Sequence, residues 1–159
     1  MVARPAPSWH TTVWFNSDRP LDVSDSRGKT VLLYAFQMLC PACVTHGIPQ
    51  ASKIYSAMAG RGSADELAVV GLHTVFEHHE GMGPASLKAF LQEFGVEFPV
   101  GVDEPSQDGD PRPRTMREYG MQGTPTVVLI DKEGNIRKQV FGIYDDFLLG
   151  LDVGRLLGE

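Results

Sequence analysis

The sequence predicts an α/β layer fold in which a central mixed sheet is flanked by helices. Three observations carry that expectation. The apolar run 31–36 is continuous rather than alternating, the pattern of a strand buried on both faces, and the largely apolar stretches 67–75 and 126–131 read as further buried strands. Segments of helical periodicity separate these runs. The third run leads into a tight turn, a returning strand and a closing helical segment. The 159 residues make one ordinary domain, and a hydrophobic fraction of 42% supplies a core without added staples.

Taken in order, residues 1–12 are expected to form a loose N-terminal arm and 13–159 the folded domain, although the stretch 11–15 is already β-rich. Residues 16–29 are rich in turn formers. The run 31–36 reads as a buried strand and enters Cys40-Pro41-Ala42-Cys43 directly, with proline suited to the first turn of a helix. That helix should reach about Ala59, with Ile48, Ala51, Tyr55 and Met58 on one stripe and a kink at Gly47 and Pro49. A second strand is expected at 67–75. Gly83-Pro84 then opens a helix whose Leu87, Phe90, Leu91 and Phe94 recur at helical spacing. A short strand at 98–102, a polar proline-bearing loop at 104–114 and a helical turn at 115–120 follow. A strand at 126–131, a turn at 132–135, an antiparallel strand at 136–141 and a helix at 144–157 close the chain. The parallel crossovers should be right-handed.

Charge and hydropathy narrow the partners. The net charge is −6 and no Lys/Arg stripe exists to track phosphates, which argues against nucleic acid. The longest purely apolar run, 31–36, is far too short to span a bilayer. The opening residues hold no hydrophobic signal core, so a cytoplasmic location is expected.

The two cysteines lie three residues apart. That spacing builds no disulfide framework, and an isolated pair supplies only half of a structural zinc site. A redox pair remains. Cys40, at a strand-to-helix turn, would meet unpaired N–H groups and the positive end of the helix dipole, which favour a thiolate. Cys43, one turn later, is near enough to close a disulfide onto Cys40 and to resolve a mixed disulfide formed there. The competing reading is two inert, buried cysteines.

These features together resemble a known family. Gly28-Lys29, the run 31–36, Cys40-Pro41-Ala42-Cys43, Gly123-Thr124-Pro125-Thr126 and Asp131-Lys132-Glu133-Gly134-Asn135 are similar to the TlpA/ResA branch of the thioredoxin superfamily, within the wider redoxin and AhpC/TSA group. The resemblance implies a thioredoxin-like fold and a thiol–disulfide oxidoreductase that reduces or exchanges disulfides. Its substrates would be protein or small-molecule disulfides and thiols, served by an unidentified thiol electron donor. It needs no cofactor beyond the Cys40–Cys43 disulfide, and no metal. It also implies that Pro125 is a cis-proline facing the cysteines, that Thr124 offers its backbone to a substrate, and that Leu39 and Pro41 belong to the substrate-contacting rim. The alternative for Pro125 is an ordinary trans turn proline.

The sequence departs from that pattern in places. Leu39 stands where the family usually has tryptophan, and Pro49 lies six residues after the second cysteine instead of five. Where members often carry an acidic proton acceptor in the helix, this chain has His46, on the helix face of Cys43. His46 could relay a proton to Cys43. Position alone favours a solvated polar residue near the kink.

Two further classes compete. A peroxiredoxin-like thiol peroxidase would share the fold, but its Pro-x-x-x-Thr-x-x-Cys motif is absent, since Leu33 and Gln37 fill the Pro and Thr positions. A copper-binding thioredoxin-fold chaperone would use the cysteines with His73, His78 or His79, because Glu77-His78-His79-Glu80 follows a strand whose end shares the cysteine end of the sheet. A mobile, solvated loop that needs no metal for folding is the favoured reading of that tract.

Overall fold

A computed structural model describes residues 2–159. Six strands form one sheet: β1 (Thr11–Phe15), β2 (Thr30–Phe36), β3 (Leu67–His73), β4 (Val100–Asp103), β5 (Thr126–Ile130) and β6 (Ile136–Phe141), in the spatial order β1-β4-β3-β2-β5-β6. Strands β2, β3 and β4 are parallel, while β1, β5 and β6 run antiparallel to their neighbours. The helices are α1 (Ile48–Gly60), α2 (Pro84–Glu93), α3 (Arg114–Glu118) and α4 (Asp146–Gly158). This is the expected mixed α/β arrangement of a thioredoxin-like fold. Among the described residues, no helix is long and apolar enough to cross a membrane.

The continuous apolar runs do mark strands covered on both sides. All seven residues of β2 and all five of β5 are buried. Side chains alternate across a strand, so β2 sends Leu32, Tyr34 and Phe36 into one core and Val31, Leu33 and Ala35 into another. The first core is closed by α1, α2 and α4 through residues such as Ile48, Leu87, Phe90 and Leu149. The second is closed by Met116, Tyr119 and Met121 together with Trp9.

Trp9 reports a correction: the opening arm is not loose. The Ile136 amide donates to the Arg4 carbonyl at 2.8 Å, and the Ala6 amide donates to the Gly134 carbonyl at 2.9 Å. Trp9 is buried, and its indole N–H donates to the Tyr119 hydroxyl at 3.0 Å, which itself donates to the Pro7 carbonyl at 2.6 Å. Without these residues the second core would lie open to water, so burial of apolar area holds the arm down.

Element ends shift for local reasons. Strand β3 ends at His73, its last partner in the β2 ladder, instead of reaching Val75. Strand β4 starts at Val100 because the preceding Pro99 has no N–H to give. Helix α4 starts at Asp146, since the Asp145 carboxylate caps it by accepting from the amides of Phe147 and Leu148 at 3.0 and 3.1 Å. Phe94, expected on the buried stripe of α2, is 54% exposed, because α2 ends at Glu93 and the chain turns away before that position faces the core.

The irregularity expected near Gly47 and Pro49 is a widened π turn over Cys43–Gly47 leading into α1. The Ile48 amide reaches back five residues to the Cys43 carbonyl. Pro49 lacks an N–H, so the regular ladder is broken at this level in any case. The widened turn lies directly on β2, where the Tyr34 hydroxyl donates to the Cys43 carbonyl at 3.4 Å. A side chain at Gly47 would collide with the Tyr34 ring and hydroxyl. Gly47→Ala should therefore destabilise the domain by about 2–3 kcal/mol, and adding Tyr34→Phe should recover part of that loss. Urea unfolding of the single and double variants checks this.

Candidate active site

The cysteines sit where β2 gives way to the helix. After Phe36 the chain turns through Gln37-Met38-Leu39, and the Cys40 amide donates to the Gln37 carbonyl at 3.0 Å. The helical segment begins at Pro41. Cys40 is half-buried, Cys43 is fully buried, and both are free thiols. Leu39 and Pro41 lie exposed on either side of Cys40.

The loop before β5 faces this turn. The Thr124–Pro125 peptide bond is cis, and Cys40 Sγ donates to the Thr124 carbonyl oxygen at 3.6 Å. The structure thus brings Cys40, Cys43 and the Thr124–Pro125 loop together, with Leu39 and Pro41 at the rim.

Burial pushes the Cys43 thiol up to about 12, reinforced by its interaction with Cys40. Hydrogen bonds from the Gln37 main chain and the Thr124 side chain pull the other way. Cys43 is therefore held protonated at neutral pH until something changes beside it.

Sequence reasoning passed over Gln37 except as a missing peroxidase threonine. Its side chain is buried and fully used: Nε2 donates to Thr124 Oγ1 at 3.2 Å and to Glu77 Oε1 at 3.5 Å, while Oε1 accepts from the Phe76 amide at 3.2 Å. One amide thus joins the end of β2, the loop before β5 and the loop after β3. The available signal was a lone polar residue ending a strand otherwise buried throughout, since buried amides require partners.

His46 is turned toward α4. Its Nε2 lies 3.0 Å from the Tyr144 carbonyl, 3.4 Å from Gln50 Nε2 and 4.0 Å from Asp146 Oδ1. That nitrogen serves the junction of α1 with α4, and the geometry lends no support to a proton relay through it.

The histidine tract disperses. His73 is buried at the end of β3, its Nε2 accepting from the Met38 amide at 3.2 Å and its ring 5.2 Å from that of Phe36. His78 adopts a left-handed backbone conformation, and His78 and His79 are exposed. Among the described residues, no three His, Cys, Asp or Glu side chains converge into a group that could hold a metal ion.

A six-stranded mixed sheet, a cysteine pair at a strand-to-helix turn and a facing cis-proline loop define a thioredoxin-like protein. Comparisons with known proteins agree. Residues 2–139 match the AhpC/TSA family, and the chain belongs to that family as a TlpA/ResA-like member of the thioredoxin superfamily. A crystal structure of a thioredoxin-like superfamily protein, SPOA0173, is 53% identical, with a TM-score of 0.92 over 99% of this chain and 98% of that one. A thiol-disulfide isomerase from Corynebacterium glutamicum is 47% identical, with a TM-score of 0.89 over 97% of each chain. Among curated relatives, protein DipZ of Mycobacterium bovis is 29% identical over 93% of this chain, which spans 20% of that protein's length. The thiol-disulfide oxidoreductase ResA of Geobacillus thermodenitrificans is 28% identical over 76% of this chain and 59% of its own length.

Burial holds the His73 imidazole down at about 4, so it stays neutral inside the fold while the unfolded chain takes up a proton near the usual 6.5. The stability this gives is complete above pH 6.5 and is lost as pH falls from 6.5 toward 4. It should amount to about 3 kcal/mol by pH 4. His73→Gln should flatten that part of the pH–stability curve, measured by urea unfolding at pH 7, 5 and 4.

Proposed function

We propose that this chain is a thiol–disulfide oxidoreductase in which the Cys40-Pro41-Ala42-Cys43 segment carries the redox pair. The observation that supports this best is the unequal burial of the two sulfurs. Cys40 is accessible, while Cys43 is enclosed behind it. In the reducing direction, the Cys40 thiolate attacks one sulfur of a substrate disulfide. A Cys40–substrate bond forms and the other substrate sulfur leaves as a thiolate. Cys43 then attacks Cys40 Sγ, its proton passing to the substrate thiolate released in the first step. The mixed disulfide breaks, the second substrate sulfur leaves as a thiolate, and the Cys40–Cys43 disulfide holds the oxidation. A thiol electron donor returns the pair to the dithiol by the same exchange in reverse. No other cofactor takes part.

The substrate class is protein or small-molecule disulfides and thiols. In this reading a substrate segment lies against the Thr124–Pro125 loop, whose carbonyl already receives the Cys40 thiol, and against the apolar rim at Leu39 and Pro41. Leu39, more than half exposed, offers the substrate a flexible aliphatic contact.

Replacing Cys43 with serine should trap a mixed disulfide between Cys40 and a substrate, because no thiol remains to release it. Replacing Cys40 with serine should abolish both reduction and trapping. Mass spectrometry of each variant after exposure to a disulfide substrate at neutral pH measures this. A stable adduct on the Cys40→Ser variant alone would reverse the roles, and an adduct on neither would remove the oxidoreductase reading.

A further inference from the structure

The end of the sheet that carries the cysteines also carries a cavity. It has a volume of about 450 Å³, lies beside the carboxyl ends of β3 and β4, and is lined in large part by Val75, Met82, Pro84, Val102, Pro105 and Pro113. That volume falls in the range of ligand pockets, roughly 300–1,000 Å³, and far exceeds a packing void. Strand register relates it to the cysteines. Phe36, His73 and Val102 pair as one row across β2, β3 and β4, and Cys40 follows shortly after Phe36. Two strand spacings, about 10 Å, separate the ends of that row. Cys40 and Val102 also pack against the same core, so both lie on one face of the sheet. Leu39 spans the interval. Its Cδ1 lies 3.4 Å from where a β-carbon on Gly81 would stand, and the next residue, Met82, lines the cavity.

The acidic groups of the lining are already engaged. The Asp103 carboxylate accepts from Thr74 Oγ1 and from the Thr115 and Met116 amides at 3.0, 2.9 and 3.0 Å. The Asp110 carboxylate is gripped by Arg112 through Nε and Nη2 at 3.0 and 2.7 Å. Neither is free to draw in a cation, and the apolar walls favour an uncharged guest. The walls are also formed in advance. The Arg112 and Arg117 guanidiniums tie Asp110 and Asp108 into the 104–114 loop, and the proline rings fix their own backbone angles. A cavity that needs no ordering keeps more of its contact energy for binding. Rigid apolar rings beside the Met82 thioether suit an aromatic guest, since a sulfur at a ring edge is a favourable contact.

We propose that this cavity is a specificity subsite that takes an aromatic side chain of a substrate polypeptide, about three or four residues from the cysteine that bonds to Cys40. The spacing follows from the 10 Å interval and an extended rise of about 3.3 Å per residue. The proposal rests on the oxidoreductase reading above and adds to it the class of substrate: an extended segment with an aromatic residue near its disulfide. The chain would run from Cys40 over Leu39 to the Met82 wall.

The test uses short serine- and glycine-based peptides, joined as dimers by the disulfide of one central cysteine. They differ only in whether, and where, a single tryptophan stands. Reduced protein in excess is mixed with each dimer, and release of free peptide is followed by chromatography. A tryptophan three or four residues from the cysteine, on one side of it, should raise the second-order rate constant about tenfold over the peptide without one. That is the scale of burying part of an aromatic side chain after ordering costs. Val75→Trp, which fills the cavity from its own wall, should bring that ratio close to one. A second measurement needs no variant: the cysteine-to-serine form of the best peptide, titrated into the unmodified protein, should shift the methyl resonances of Val75, Met82 and Val102. Equal rates across the series, a ratio that survives in a folded Val75→Trp, or methyl shifts confined to the exposed apolar face of α4 at Leu148 and Leu151 would overturn the subsite and leave the oxidoreductase reading standing. Failure of the unmodified protein to reduce any of the dimers would overturn both.

Discussion

Strand β2 has water on neither face, and the rest of the molecule is arranged around that fact. Seven consecutive buried residues, paired on one side with β3 and on the other with β5, demand cover above and below. One cover is helical, from α1, α2 and α4. The other is assembled from α3 and the N-terminal residues around Trp9. Asp103 helps to build that second cover: its buried carboxylate accepts from the Thr115 and Met116 amides at 2.9 and 3.0 Å and so fixes the start of α3. Because β2 is immobilised on all sides, the residues that leave its end depart from a fixed point, and Cys40 is among them.

The approach of the helix to β2 sets the position of the second cysteine. Gly47 lets the widened turn lie on Tyr34, and Tyr34 holds the Cys43 carbonyl. The N-terminus of α4 joins at the same level, where the Gln50 side chain donates to the Tyr144 carbonyl at 2.7 Å and to Asp146 Oδ1 at 2.6 Å. Around Cys40 the ties are polar instead. Gln37 connects three chain segments that are remote in sequence, so the loop that faces the cysteines is located by hydrogen bonds and the helix that carries them is located by packing.

Much of this was legible in the sequence. Continuous apolar runs identified the buried strands because a doubly covered strand has no polar face to alternate with. The spacing of Cys40 and Cys43 and the Gly123–Thr126 stretch pointed to the site, as these residue types carry their chemistry in their local pattern. What stayed hidden depended on contacts between distant segments. The docking of the arm needs Tyr119 and Gly134, which lie more than a hundred residues away in the chain. His46 shares a helix face with Cys43, yet its ring nitrogen answers to Tyr144, whose proximity follows from the tertiary packing of α4. Gln37 looked like a residue missing from another motif because its partners, Phe76, Glu77 and Thr124, come from two separate loops.

The enclosure of Cys43 has a consequence for which molecules the site can answer. A soluble oxidant or alkylating reagent meets only the outer sulfur, because the inner one is fully enclosed. In the proposed reaction the inner sulfur responds to a neighbour and not to a concentration: what reaches it is whatever Cys40 has already bound. Access thus enforces an order of events that intrinsic reactivity alone would leave open. It also shelters one of the two cysteines from chance chemistry while the other stays open to solvent.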